Sequence, residues 1–118
     1  MPELLFVYNA NAGLVNGLLD TLHKTFSPGT YACSLCAVTY GATSMRTEWK
    51  SFIQELPAQT TFLHRDELAR QHPELSSHPL PAIFRRATAA QPWQPVASAQ
   101  QLRPLTLPAL MDLVKQLV

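Results

Sequence analysis

Cysteine is scarce in this chain: two among 118 residues. That is too few for a disulfide scaffold, and it makes a reducing cytoplasm the default compartment. Charge is scarce as well. Charged residues are 14% of the chain and the net charge is +1, which leaves no basic footprint for nucleic acid or anionic lipid. With 47% hydrophobic residues, the chain is also too apolar for a disordered tail. Long apolar runs are missing: none approaches the ~20 residues of a membrane span. The opening MPELLFVYNANAG has no basic n-region, and Glu3 and Asn9 bracket a short apolar run, Leu4 to Tyr8. A secretory signal is not expected from it. Glycines number four, and no Gly-x-x-x-x-Gly-Lys-[Ser/Thr], Gly-x-Gly-x-x-Gly, Gly-x-Ser-x-Gly or His-Glu-x-x-His occurs. P-loop, dinucleotide, hydrolase-elbow and zinc-peptidase readings therefore lack their usual signals.

Proline, in contrast, is abundant. Eight of the ten prolines follow residue 50, so the second half carries many stiff connections. The length suits one domain with one core.

Leu4 to Tyr8 is a continuous apolar run, the pattern of a strand buried on both faces. Val15, Leu18, Leu19, Leu22 and Phe26 recur at helical spacing, with Asn11 as a cap and Ser27-Pro28-Gly29 as a stop. Met45, Trp49, Phe52, Ile53 and Leu56 form a second helical stripe, capped by Thr43 or Ser44 and stopped by Pro57. Thr60 to His64 reads as a strand, and Asp66 to Gln71 as helical turns capped by Asp66. Residues 72–81 read as an irregular linker. Ala82 to Arg85 is a strand entered through Pro81. Trp93 to Ser98 is a weaker strand, which Pro92 and Pro95 confine to a sheet edge. Leu107, Leu110, Met111, Val114 and Leu117 predict a last helix, with Thr106 as cap and Pro108 in the first turn.

Helices alternating with strands predict a layered α/β domain over residues 1–118. The proline-initiated strand at Leu80-Pro81-Ala82-Ile83-Phe84, the strand after it and the closing amphipathic helix resemble the second half of the thioredoxin fold. The strand and helix from Leu4 to Phe26 fit its first half. The resemblance implies a two- or three-layer sandwich, with a mixed sheet of four to five strands flanked by helices. It also implies a cis-proline at Pro81, flanking the site. The chain further resembles a family of small uncharacterised bacterial proteins that begin Leu-Leu-Phe-Val-Tyr-Asn-Ala and carry a Cys-x-Leu-Cys-Ala-x-Thr-x-Gly segment.

Both cysteines lie in YACSLCAVTYG, residues 31–41, as a C-x-x-C. A thioredoxin places this motif directly after the first strand, where this chain has Asn9-Ala-Asn-Ala-Gly13. The pair here is one helix later. Two conformations are open. As an extra strand, residues 31–40 would climb back between two helices; Cys33 and Cys36 would then face apart, with Cα atoms ~10 Å apart. As a turn opening a helix, the sulfurs could meet, and helix N–H groups would lower the pKa of the Cys33 thiol.

Three readings of the pair follow. One is a thiol–disulfide protein in which Cys33 is the nucleophile, Cys36 the resolving thiol and the partner a protein or small thiol. The second is a non-catalytic binding or scaffold domain with two buried structural cysteines. The third is a zinc protein that recruits His72 and His78 as the other half of the site. None requires an organic cofactor, and none specifies an oligomeric state.

Other candidates are weaker. His64-Arg65-Asp66-Glu67 ends a parallel strand, where ligand sites gather, but a solvated loop with Asp66 as helix cap is the favoured reading. Asn9, Asn11 and Gly13 follow the first strand at the same edge. Trp49 is expected in the core, Trp93 as either a packed edge residue or an exposed contact, and Arg85-Arg86 in solvent.

Overall fold

The computed structural model describes residues 1–10, 35, 39 and 45–118. The expected helix over 15–26, with Asn11, Gly13 and Ser27-Pro28-Gly29, lies outside them. Among the described residues four strands form one sheet: β1 (Glu3–Val7), β2 (Gln59–Leu63), β3 (Ala82–Arg86) and β4 (Gln94–Ala97). Their spatial order is β2-β1-β3-β4. β1 runs parallel to β2 and antiparallel to β3, and β4 is antiparallel to β3. The sheet is therefore mixed and of the expected size.

The continuous apolar run of β1 has a direct cause. Leu4, Leu5, Phe6 and Val7 are all 0% exposed, because β1 is central and both its faces are covered. Burying each such side chain stabilises the fold by ~1.5–3 kcal/mol. Alternate side chains leave on opposite faces. Leu4, Phe6 and Tyr8 join Ile83 and Ala97 on one face; Leu5 and Val7 join Ala82 and Phe84 on the other.

Helices cover both faces, so the sandwich has three layers. On the first face lie α1 (Thr47–Glu55), through Trp49, and the closing helix α4 (Leu107–Leu117), through Leu110 and Val114. On the second lies α2 (Arg65–Gln71), through Leu68, followed by a 3-10 turn at Pro73–Leu75 that buries Leu75. The linker expected over 72–81 is thus partly structured, and Leu75 anchors it. The Leu80–Pro81 peptide is cis, and Pro81 is buried just before β3.

Two expected boundaries are corrected. α1 starts at Thr47 behind an extended Arg46; Thr43 and Ser44, the expected caps, lie outside the described residues. Met45 belongs to a bridge ahead of the helix, and the Arg46 N–H donates to the Thr39 carbonyl at 2.7 Å. At the other end Leu56 is extended, as a residue before proline must be. α4 keeps its expected cap: the Thr106 hydroxyl accepts from the Ala109 N–H at 3.3 Å.

One helix was not expected. α3 (Ala99–Leu102) occupies a single turn after β4. It is held by a capping box: Ser98 Oγ accepts from the Gln101 N–H at 3.2 Å, and Gln101 Oε1 accepts from the Ser98 N–H at 2.8 Å. Among the described residues no helix is long and apolar enough to cross a membrane.

Candidate functional site

Parallel strands present their carboxyl ends on one side of a sheet, and ligand sites gather there. In this chain β1 and β2 end together. The Tyr8 N–H donates to the Leu63 carbonyl at 2.9 Å, and the Arg65 N–H to the Ala10 carbonyl at 2.9 Å. The chain therefore stays paired just past both strands, which sets Asn9 beside Arg65 and Tyr8 beside His64. Arg65 Nη1 donates to Asn9 Oδ1 at 3.4 Å, and the Tyr8 and His64 rings lie 5.6 Å apart. β3 enters the sheet at the same end. Ala82 pairs with Val7, so Pro81 stands one residue beyond that pair.

His64, not Asp66, caps α2. Glu67 Oε1 accepts the His64 backbone N–H at 2.9 Å and meets His64 Nδ1 at 2.7 Å. One carboxylate thus holds both the backbone and the ring of His64. The backbone hydrogen bond from His64, and then the ring hydrogen bond, hold the Glu67 carboxyl below the usual carboxylate range.

That shift has a sign. A lowered folded pKa contributes stability above the ordinary carboxylate range, and this is lost as pH falls through the lowered folded value. Glu67→Gln should therefore unfold more readily than the parent at neutral pH and converge with it in acid. Urea midpoints measured from pH 7 down to the acid limb check this. A constant difference across the range would count against the His64–Glu67 contact.

Cys33 and Cys36 lie outside the described residues. Two of their neighbours do not. Leu35, between them, and Thr39 are both helical and buried. Thr39 Oγ1 donates to the Leu35 carbonyl four residues back, at 2.7 Å, the local bond a threonine makes within a helix. At these two positions the chain is not the extra strand of the extended reading. Leu35 packs into the first-face core with Phe6 and Trp49.

His72 and His78 go to separate aromatic contacts. The His72 ring meets Trp93 edge-on, with Nδ1 3.5 Å from Glu74, and the His78 ring meets Phe84 edge-on at 5.2 Å. Among the described residues no three His, Cys, Asp or Glu side chains gather as metal ligands would.

Trp49 is fully buried, as expected. The arginine pair is not simply solvated. Arg86 Nη2 donates to Glu3 Oε1 at 3.0 Å, and its guanidinium lies 4.2 Å over the half-buried Trp93 ring. Arg85 Nε donates to the Leu117 carbonyl at 2.9 Å. Sequence reasoning missed both contacts, because their partners are far away along the chain. The His64–Glu67 contact did carry a signal, a polar residue three positions before a glutamate.

Compared with known proteins, the chain matches no family model, no curated protein and no solved structure.

Proposed function

We propose that this chain is a thioredoxin-like protein that exchanges thiols and disulfides through Cys33 and Cys36, with Pro81 flanking the pair. The observation that carries the reading is the helical backbone at Leu35, between the two cysteines. An extended chain would separate them by ~10 Å, whereas a disulfide needs Cα atoms closer than ~7 Å. The rise and radius of an α-helix set residues three apart at ~5 Å, and they share a face. A helical turn carried through the motif therefore makes pairing possible. The element order supports the same reading: a parallel β1–β2 pair, a proline-headed β3, an antiparallel β4 and a closing helix.

In the exchange, the Cys33 thiolate attacks one sulfur of a partner disulfide. A mixed disulfide forms and the partner's first sulfur leaves as a thiolate. The Cys36 thiolate then attacks the Cys33 sulfur, closing the Cys33–Cys36 bond and releasing the partner's second thiolate. Two electrons pass from the dithiol to the partner disulfide, and water protonates the leaving thiolates.

Equilibration of the native chain in glutathione redox buffers, followed by alkylation and mass analysis, tests this. The expected result is joint loss of both thiols in one two-electron step, with circular dichroism unchanged. Cys33→Ser should form only a mixed disulfide at Cys36. Thiols that stay unreactive in the native state, or that oxidise only on unfolding, would overturn the proposal.

A further inference from the structure

We infer that the β3–β4 hairpin carries a binding site for a small oxyanion ligand, a molecule bearing a phosphate or carboxylate group, with Arg85 and Gln94 as its principal contacts. This proposal does not depend on the thiol reading.

A groove of about 320 Å³ opens at the hairpin, lined by Arg85, Arg86, Gln91 and Gln94 with Pro92 and Val96. Its volume is at the lower end of the ~300–1,000 Å³ range for small-molecule sites, which suits a compact ligand. Its lining holds two arginines and two primary amides, and no acidic residue.

The two arginines have different jobs. As neighbours in a strand they leave on opposite faces. Arg86 turns to Glu3 and Trp93, so a carboxylate already offsets its charge. Arg85 turns to the α4 side, where Nε is anchored on the Leu117 carbonyl. Among the described residues nothing else engages its guanidinium, which leaves the paired Nη groups as a fork. A guanidinium fork fits a carboxylate or phosphate with two parallel hydrogen bonds. The Nε anchor pre-orients that fork, so less rotamer freedom is lost on binding.

Gln94 completes the pair. It lies directly across the ladder from Arg85, and residues opposite each other in an antiparallel pair have Cβ atoms ~4.5–5.5 Å apart. Gln94 and Gln91 are both exposed, so their amides are accessible to a ligand. Arg86 Nε, on a residue that also lines the groove, is a buried donor without an acceptor among the described residues.

Titration of the full chain at fixed ionic strength, followed by amide and arginine side-chain resonances, tests the site. Inorganic phosphate and acetate serve as separate probes, and their relative affinities identify which group the fork prefers. The expected result is saturable shifts concentrated at residues 85–87 and 91–96 and at the Arg85 side chain. Gln94→Glu sets a carboxylate opposite Arg85 that competes for its fork and repels an anion, and should weaken binding by about tenfold or more. Arg85→Lys keeps the charge but removes the fork, and should weaken binding as well. Non-saturating shifts, shifts spread evenly over the surface, or unchanged affinity in the folded Gln94→Glu variant would overturn the proposal.

Discussion

Phe6→Ala should lower the unfolding free energy by about 3–5 kcal/mol, the usual cost of truncating a fully buried aromatic ring. Phe6 is 0% exposed and lies on the interior strand β1. Its ring stacks on Phe62 at 4.8 Å and meets Trp49 edge-on at 5.7 Å. Each such aromatic pair is worth ~0.5–1.5 kcal/mol beyond the area it buries. Truncation therefore removes two ring contacts and leaves a void between β1, β2 and α1. Trp49 also stacks on Phe52, which ties it to its own helix and limits collapse into the void. Phe62 provides the internal control. It is half-buried on the edge strand β2, so Phe62→Ala should cost clearly less. Urea unfolding of both variants gives the comparison. Domains are stable by only ~5–15 kcal/mol, so the Phe6 variant belongs at low temperature. A cost below ~1 kcal/mol for Phe6→Ala would mean the ring is not packed as described.

The same residues show what could be read from the chain beforehand. β1 was legible because a strand buried on both faces has no polar side to interrupt it. α4 was legible because cap, first-turn proline and apolar stripe agree. The edge position of β4 was legible from Pro95, which pairs with Phe84 but has no N–H to give a further strand. Local overrides were not legible. Met45 fits the apolar stripe of α1, yet the pairing of Arg46 with Thr39 keeps it out of the helix. α3 is too short to show periodicity, and its capping box was the only mark it left. At the carboxyl edge, a charged string read as a solvated loop proved to contain a histidine held twice by one glutamate. The conformation of the cysteine motif could not be decided from pattern, because Tyr31, Val38, Thr39 and Tyr40 favour a strand. Thr39 is nevertheless helical and fully buried, and its carbonyl accepts from the Arg46 N–H, so its surroundings outweigh that preference at this position.

Glu3→Ala should cost about 2–3 kcal/mol, well above the ~0.2–1 kcal/mol of an exposed ion pair. Glu3 and Arg86 are 83 residues apart in sequence but directly opposite in the β1–β3 ladder. Their side chains are only 16% and 22% exposed. Removing one member of a fully buried pair costs ~3–5 kcal/mol, because the other charge stays behind unpaired; partial exposure places this pair somewhat lower. The remaining support for Arg86 is weak. Its Nε already lacks an acceptor among the described residues, and the Trp93 ring offers ~0.5–2 kcal/mol of cation–π attraction. Arg86→Met removes the charge while keeping an apolar stem over Trp93. It leaves Glu3 unpaired in its turn, so it should also destabilise. The double variant, Glu3→Ala with Arg86→Met, strands neither charge. It should therefore be more stable than the sum of the single costs implies, by ~1 kcal/mol or more of coupling in a double-mutant cycle. A coupling below ~0.5 kcal/mol, read from urea unfolding of all four proteins, would reduce the contact to an ordinary surface pair. Coupling of the expected size would instead identify Glu3 as the partner that offsets the Arg86 charge. Arg85, which has no carboxylate partner among the described residues, is then the arginine left to meet a ligand at the hairpin groove.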